Sequence, residues 1–380
     1  MTKKNKVWKW AKIVLLTLSI LIIVSTITIS LIFYFRWNQA YDPTVTFSER
    51  EDEYSAPTST PDDEMSAVTS YNEDDWDTSI IDPNTSETES NGGTTSNTNS
   101  NSGTISGGGD YVWVWHPKNV PIIKKDQIDN NIINILVLGV DSTDATKSGG
   151  RSDTMIVASY NKKTGEVNLI SLMRDSFVPI EGYDWNRLNT AYFFGSVGLC
   201  INTINDVFEL DVQNYIMVDF DSLPKLIDKI GGIEVTLTQA EVDYYNDNYN
   251  WGVTAGKVLL SGDQALKHAR NRKIGNSDFA RTNRQRDMLT QIINKMLNKN
   301  DLPGTISLIN SSIDMIKTNI NANSLIGLAT DVFTGPKVTI DTMQMPANGT
   351  YEAYWYKKML VMKINIEKNR EEIRKLIYTN

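Results

Sequence analysis

Two carboxylates and a crowd of arginines are the residues best placed to do chemistry. Asp141 directly follows the apolar run Ile132–Val140, and Asp153 opens a second apolar run within Gly150-Arg151-Ser152-Asp153-Thr154. If both runs are strands, both carboxylates lie at strand ends, where open α/β sheets carry their ligand-binding loops. A pair of this kind suits Mg²⁺, with Mn²⁺ as a substitute. Such a cation is usually held by one or two carboxylates plus phosphate oxygens. Turn residues that merely cap strands account for the same two positions equally well.

Arg270, Arg272, Arg281, Arg284 and Arg286 fall within 17 residues. Ser261-Gly262-Asp263-Gln264 has capping-box spacing, so a helix starts there and delivers Arg270 and Arg272 near its end. At 100° per residue the next helix aligns Arg281, Gln285, Met288, Ile292 and Met296 on one stripe, apolar from Met288 onward. Its first turn therefore turns Arg281 and Gln285 inward, whereas Arg286 falls off the stripe and reads as a surface residue. A buried guanidinium is costly without an anion, and its fork matches phosphate oxygens in pairs. The favoured guest is a phosphate or pyrophosphate. Internal salt bridges to Asp278 and Asp287 are the competing account.

These residues need a scaffold, and the pattern supplies one. Strands are predicted over 132–140, 154–160 and 166–173, the last two joined as a hairpin by the Lys-Thr-Gly turn, and again near 214–219, 233–237 and 337–343. Helices are predicted over 188–208, 221–230, 261–270, 278–299, 304–317 and 322–333, with a long amphipathic helix over 355–378. This alternation gives an α/β domain with a mixed central sheet covered by helices on both faces. Cys200, the one cysteine, sits in an apolar helical stretch and reads as a buried thiol. Neither His116 nor His268 stands in a motif for a Ser-His-Asp or multi-histidine zinc mechanism. The aromatic groups Tyr111/Trp113/Trp115 and Tyr244/Tyr245/Tyr249/Trp251 suit packing, and sugar stacking as the second reading.

The rest of the chain sets the compartment. Residues 13–35 run 23 positions without a charge, enough for one transmembrane helix, since about 20 apolar residues cross a bilayer core. Five lysines precede it within residues 1–12, so the N-terminus is expected in the cytoplasm and everything after Arg36 outside. Residues 36–110 read as a disordered acidic linker rich in Ser, Thr, Asn and Gly. Over 42–110 it holds 16 acidic residues against Arg50 alone. The folded portion, 111–380, has 30 basic and 30 acidic residues. Its neutrality and outward orientation argue against nucleic acid as a partner.

The segments NILVLGVD (134–141), GRSDTMI (150–156), SLMRD (171–175), RLNTAY (187–192), YIMVDF (215–220), IGGIEV (230–235), LSGDQALKHARNRK (260–273) and DFARTNRQR (278–286) together resemble the LytR-CpsA-Psr family. They follow the family's order over roughly 131–297. The resemblance implies a membrane-anchored phosphotransferase of a Gram-positive type envelope. It would move an anionic glycopolymer, of the teichoic acid or capsule and wall polysaccharide type, from an undecaprenyl-pyrophosphate carrier to peptidoglycan and leave a phosphodiester. Asp141 and Asp153 become magnesium-associated, catalytic carboxylates together with Arg270 and Arg272. Arg151, Arg174, Arg281, Arg284 and Gln285 become contacts to the pyrophosphate or head group. Thr143 and Ala280 stand where the family often has Arg and Gly. The Thr143 departure leaves a non-catalytic polyprenyl-phosphate binding or scaffolding protein as the alternative.

Overall fold

The computed structural model describes residues 120–140, 152–275, 277–297, 302–357 and 359–379, with short strand segments at 47–48, 65–67, 105–106 and 112–113. The predicted span over 13–35 lies outside the described residues, as does the linker apart from those segments. Among the described residues no helix is long and apolar enough to cross a membrane.

Strand β1 (Ile132–Val140) is an apolar, β-branched run, the composition that fits a strand buried on both faces. It pairs antiparallel with β2 (Ser152–Asn161), and β2 pairs with β3 (Glu166–Leu172) across the expected Lys-Thr-Gly turn. Beyond β3 come β4 (Ser176–Ile180), β5 (Asp184–Arg187), α1 (Asn189–Phe208), β6 (Asn214–Asp219) and α2 (Ser222–Lys229). The chain continues through β7 (Ile233–Leu237), α3 (Gln239–Tyr249), β8 (Gly256–Leu260), α4 (Gly262–Arg270), α5 (Ser277–Leu297) and α6 (Leu302–Ser312). It ends with β9 (Lys317–Thr318), α7 (Ala322–Thr334), β10 (Thr339–Met345), β11 (Tyr351–Tyr356), β12 (Met359–Ile364) and α8 (Ile366–Tyr378).

The central sheet has the order β9-β6-β1-β2-β3-β10. β6 runs parallel to β1 and β10 parallel to β3, so the sheet is mixed, as expected. Alternation along β1 explains its two-sided cover. Leu136, Leu138 and Val140 join a core with α1 and α8, whereas Ile133 and Ile135 pack with residues of α6 and α7. Backbone approach is closest at Gly198 of α1, where a Cβ would stand 1.7 Å from the carbonyl oxygen of Val120. Cys200 is fully buried, and burial pushes its thiol up to about 12.

The C-terminal region corrects one expectation. The long helix predicted over 355–378 begins only at Ile366, where the Asn365 side chain caps the N–H of Lys368. Before it, β11 and β12 form an antiparallel pair, reversed at Lys357 with φ 44°. Their aromatic and β-branched residues favour strand, and β12 has β4 to pair with. The second sheet runs β5-β4-β12-β11, with Met65–Ala67 on its edge. Helix α3 was also not anticipated, although its capping box, Thr238 with Glu241, is present in the sequence.

A satellite core joins α2, the β7–β8 hairpin, α3, α4 and one face of α5 through Ile227, Ile233, Val242, Tyr245, Leu260 and Met288. α4 starts at the predicted capping box, with Ser261 and Gln264 exchanging hydrogen bonds. His268 lies in this core, its Nδ1 2.9 Å from the Tyr245 hydroxyl. Burial lowers its pKa to about 4. The unfolded chain therefore binds a proton near pH 6.5 that the folded chain refuses until about 4. Stability is fully present above 6.5 and is lost as pH falls towards 4, by about 3 kcal/mol from this group. Denaturant titrations at pH 7 and pH 4.5 should show wild type losing more stability than His268→Gln. Equal losses would mean that His268 titrates alike in both states.

Candidate active site

The site forms where the two sheets, the start of α5 and the α4–α5 loop meet. Val140 pairs with Ser152 while Gly139 pairs with Thr154, so Asp153 is the extra residue of a bulge. A bulge re-aims a side chain out of the ladder. The Asp153 carboxylate is accordingly 23% exposed, although Ser152 beside it is fully buried. Asp141 and Arg151 lie outside the described residues, as do Thr143 and Lys147.

Arg174 follows β3 by two residues and is the hub. Its Nη1 is 3.2 Å from Asp153 Oδ1, its Nε 3.2 Å from Asp175 Oδ2 and its Nη2 3.8 Å from Asp278 Oδ1. Asp175 is almost fully buried and is held from the other side by Arg187, whose Nε lies 3.2 Å from Oδ1. Arg187 also donates from Nη2 to the Leu360 carbonyl at 2.6 Å. In the first turn of α5, Asp278 Oδ1 meets Arg281 Nη2 at 2.7 Å and Arg272 Nε at 3.9 Å. Among the described residues, four guanidiniums thus surround three carboxylates.

The charges are unequally supported. Burial works against the cation of Arg174, but Asp175, Asp278 and Asp153 together raise its pKa above the ordinary guanidinium value. Burial lowers Arg272 to about 10, with repulsion from Arg281 adding to the effect and Asp278 opposing it. Burial also lowers Arg281, against the pull of Asp278. Arg281 is 3% exposed, and its Nε has no hydrogen-bond partner among the described residues. An anion reaching Arg272 and Arg281 would relieve both.

The inward stripe is confirmed, since Arg281 and Gln285 are both buried, with Gln285 Nε2 3.5 Å from the Ala269 carbonyl. Arg270 is exposed and lies over the Phe220 ring, 4.6 Å from its centroid. Phe220 follows β6, the parallel neighbour of β1, so Arg270 borders the C-terminal end of β6. Arg284 requires a correction. It is not a head-group contact, because it pairs with Glu241 at 2.8 Å and donates to the carbonyls of Asn271 and Ile274 at 2.9 Å each. With its donors committed to buried acceptors, Arg284 pins the loop that carries Arg272. Arg286 is not a surface residue either. It is buried and bonded to Asn283 one turn back, where lateral packing of α5 covers a position that helical phase alone puts outside. Asp278 does pair with the arginines, through its i, i+3 spacing to Arg281. Asp287 makes no such pair and is exposed.

Asp175 and Arg187 were missed as site residues. Asp175 ends the segment SLMRD and Arg187 opens RLNTAY, but nothing in either segment marks the two as partners. Only the pairing of the two sheets brings them together. For Mg²⁺, Asp153 offers a part-exposed hard oxygen beside the end of β1, which fits the donor chemistry of that ion. No cluster of three metal-ligating side chains occurs among the described residues.

The buried Asp175 bridges Arg187 and Arg174, the latter also met by Asp153 and Asp278. Breaking a buried pair by removing one partner costs about 3–5 kcal/mol. Asp175→Asn should lose stability of that order in urea titrations, and a loss within 0.5 kcal/mol, about the level of a surface change, would show that the arginines are solvated.

With this geometry established, similarity to known proteins can be assessed. The LytR_cpsA_psr family model matches residues 113–375, most of the chain and beyond the stretch carrying the motifs. Polyisoprenyl-teichoic acid–peptidoglycan teichoic acid transferase TagU of Enterococcus faecalis is 32% identical over 214 residues, covering 55% of this chain and 69% of that protein. TagU of Bacillus subtilis is 30% identical over 235 residues, covering 61% and 72%. The fold is shared with the crystal structure of B. subtilis TagT, with TM-score 0.53 and 23% identity over 67% of this chain and 94% of that one. A TagT structure with bound octaprenyl pyrophosphate lipid has TM-score 0.52 and 22% identity, covering 67% and 93%. The chain belongs to the LytR_cpsA_psr (LytR-CpsA-Psr) family and is a transferase.

Proposed function

We propose that this protein transfers a glycopolymer, of the teichoic acid type, from an undecaprenyl-pyrophosphate carrier to a hydroxyl of peptidoglycan. The observation that carries this reading is the buried Arg281 guanidinium, whose Nε has no hydrogen-bond partner among the described residues. An oxygen-rich dianion such as pyrophosphate would complete that arrangement. The names of the TagU relatives and the lipid bound to TagT support the same substrate class. The predicted helix over 13–35 would hold the domain beside a membrane-borne donor, with the folded portion outside the cell.

In this reading Arg272 and Arg281 grip the pyrophosphate, and Arg174 is held in place for it by Asp175 and Asp278. The acceptor oxygen forms a bond to the phosphorus next to the sugar. The bond from that phosphorus to the bridging oxygen breaks, and the polyprenyl phosphate leaves. The acceptor proton passes to Asp153 or Asp141. Phosphoryl transfer places developing charge on non-bridging oxygens, so fixed guanidiniums supply much of the stabilisation. Mg²⁺ bound at Asp153 and Asp141 would add Lewis-acid stabilisation of the same charge.

Asp153→Asn keeps the size and bulge of the native residue but removes its charge. With a synthetic lipid-pyrophosphate donor and soluble peptidoglycan strands, we expect transfer by Asp153→Asn and Asp141→Asn to fall at least a hundredfold, a typical general-base contribution. Thermal stability should barely change. Normal turnover by both variants would make these residues strand caps.

A further inference from the structure

Beside the arginine site lies an aromatic surface that the transfer mechanism does not use. Trp251 stacks on the buried Tyr245, ring centroids 4.2 Å apart and planes at 25°. Tyr249 is 39% exposed and lies 6.0 Å from Trp251, its ring plane tilted by 30° to that of the indole. Tyr244 meets Tyr249 edge-on at 6.0 Å. The Lys267 ammonium stands 4.9 Å from the Tyr249 centroid. Lys267 and Arg270 are three residues apart on α4, which makes them neighbours on one helix face. The aromatic surface and the arginine site therefore adjoin through a single helical turn.

The backing is rigid. The Tyr245 hydroxyl is 2.9 Å from His268 Nδ1 and accepts from Asn271 Nδ2 at 3.1 Å, and the Asn271 carbonyl is bound by Arg284. Asn271 lies between Arg270 and Arg272, so the ring stack and the arginine loop share one support.

Charge selects the occupant. Along α3 the acidic residues are Glu241, Asp243 and Asp247, and the helix has no basic residue. Glu241 is neutralised by Arg284, whereas Asp243 and Asp247 are exposed. A polyanionic chain of phosphodiesters would meet these carboxylates with Lys267 beside the Tyr249 ring, while Arg270, one turn along α4, lies over Phe220. Pyranose rings without phosphate stack on aromatic faces by their apolar C–H surface and accept hydrogen bonds at the rim, where exposed Asn248 and Asn250 stand. We propose that Tyr249 and Trp251 form a docking surface for an N-acetylhexosamine glycan strand, the acceptor of the transfer reaction. This rests on the function proposed above and adds where its acceptor binds.

The test uses the full chain in detergent micelles, titrated calorimetrically with a soluble N-acetylglucosamine oligomer and, separately, with polyglycerol phosphate. The oligomer should bind wild type, and the Tyr249→Ala/Trp251→Ala double variant should bind it at least tenfold more weakly. Trp251→Phe, which keeps a ring, should recover most of the affinity and controls for folding. Equal binding by wild type and the double variant, no binding by wild type at millimolar oligomer, or preference for polyglycerol phosphate would each overturn the proposal. The Asp153→Asn assay is independent of this surface. Loss of transfer there with intact glycan binding by wild type would leave both readings standing. Glycan binding that fails alongside normal Asp153-dependent transfer would sink only the docking surface.

Discussion

A carboxylate placed where water cannot reach it governs this architecture. Asp175 sits between Arg174 and Arg187 at 3.2 Å from each, on the short link between a central-sheet strand and a second-sheet strand. Its backbone carbonyl accepts the Met362 N–H of β12, and Arg187 binds the Leu360 carbonyl of the same strand. The two sheets are thus fastened at the point where Arg174 must be aimed. A buried charge of this kind is weak evidence for net stability, because desolvation offsets attraction. Its value here is positional. With Arg174 fixed on one side by Asp175, the remaining guanidinium edges face Asp153 and Asp278.

From that fixed point the site grows by unequal pairing. Asp278 meets three arginines, one at 2.7 Å and two near 4 Å, so it serves Arg281 well and the others partially. Burial depresses the pKa of both Arg272 and Arg281, the cost of holding positive charge near positive charge in a poorly hydrated place. A buried guanidinium whose Nε has no partner among the described residues suits a guest that brings its own negative charge, and the same arginines then stabilise the transition state without rearranging.

Local rules made much of this visible before any coordinates. The stripe from Arg281 to Met296 follows from helical periodicity, and it placed Arg281 and Gln285 inward. Capping-box spacing located the start of α4, and apolar runs with a Lys-Thr-Gly turn located β1 to β3. Long-range pairing was not legible. Arg187 and Asp175 are 12 residues apart and joined only by the second sheet, so no periodicity links them. Arg284 differs from Arg281 only by its partner, since Glu241 is supplied by a helix 43 residues upstream. The segment 355–364 was read as helix because its amphipathic pattern merges with that of α8. Strand pairing with β4, together with the aromatic and β-branched composition, outweighed the helical periodicity.

The claim on which the account turns is that Arg281 is held for an external anion. The most direct measurement is the melting temperature of the full chain in detergent, with and without a short polyprenyl pyrophosphate. Ligand at a hundredfold excess over its Kd should stabilise wild type by about 2.7 kcal/mol. Arg281→Ala should lose most of that shift whatever its own stability, and Arg374→Ala, at a position 63% exposed on α8, should keep it. Equal ligand-induced shifts in wild type and Arg281→Ala would contradict the account, because the cluster would then be a structural ion-pair network and nothing more.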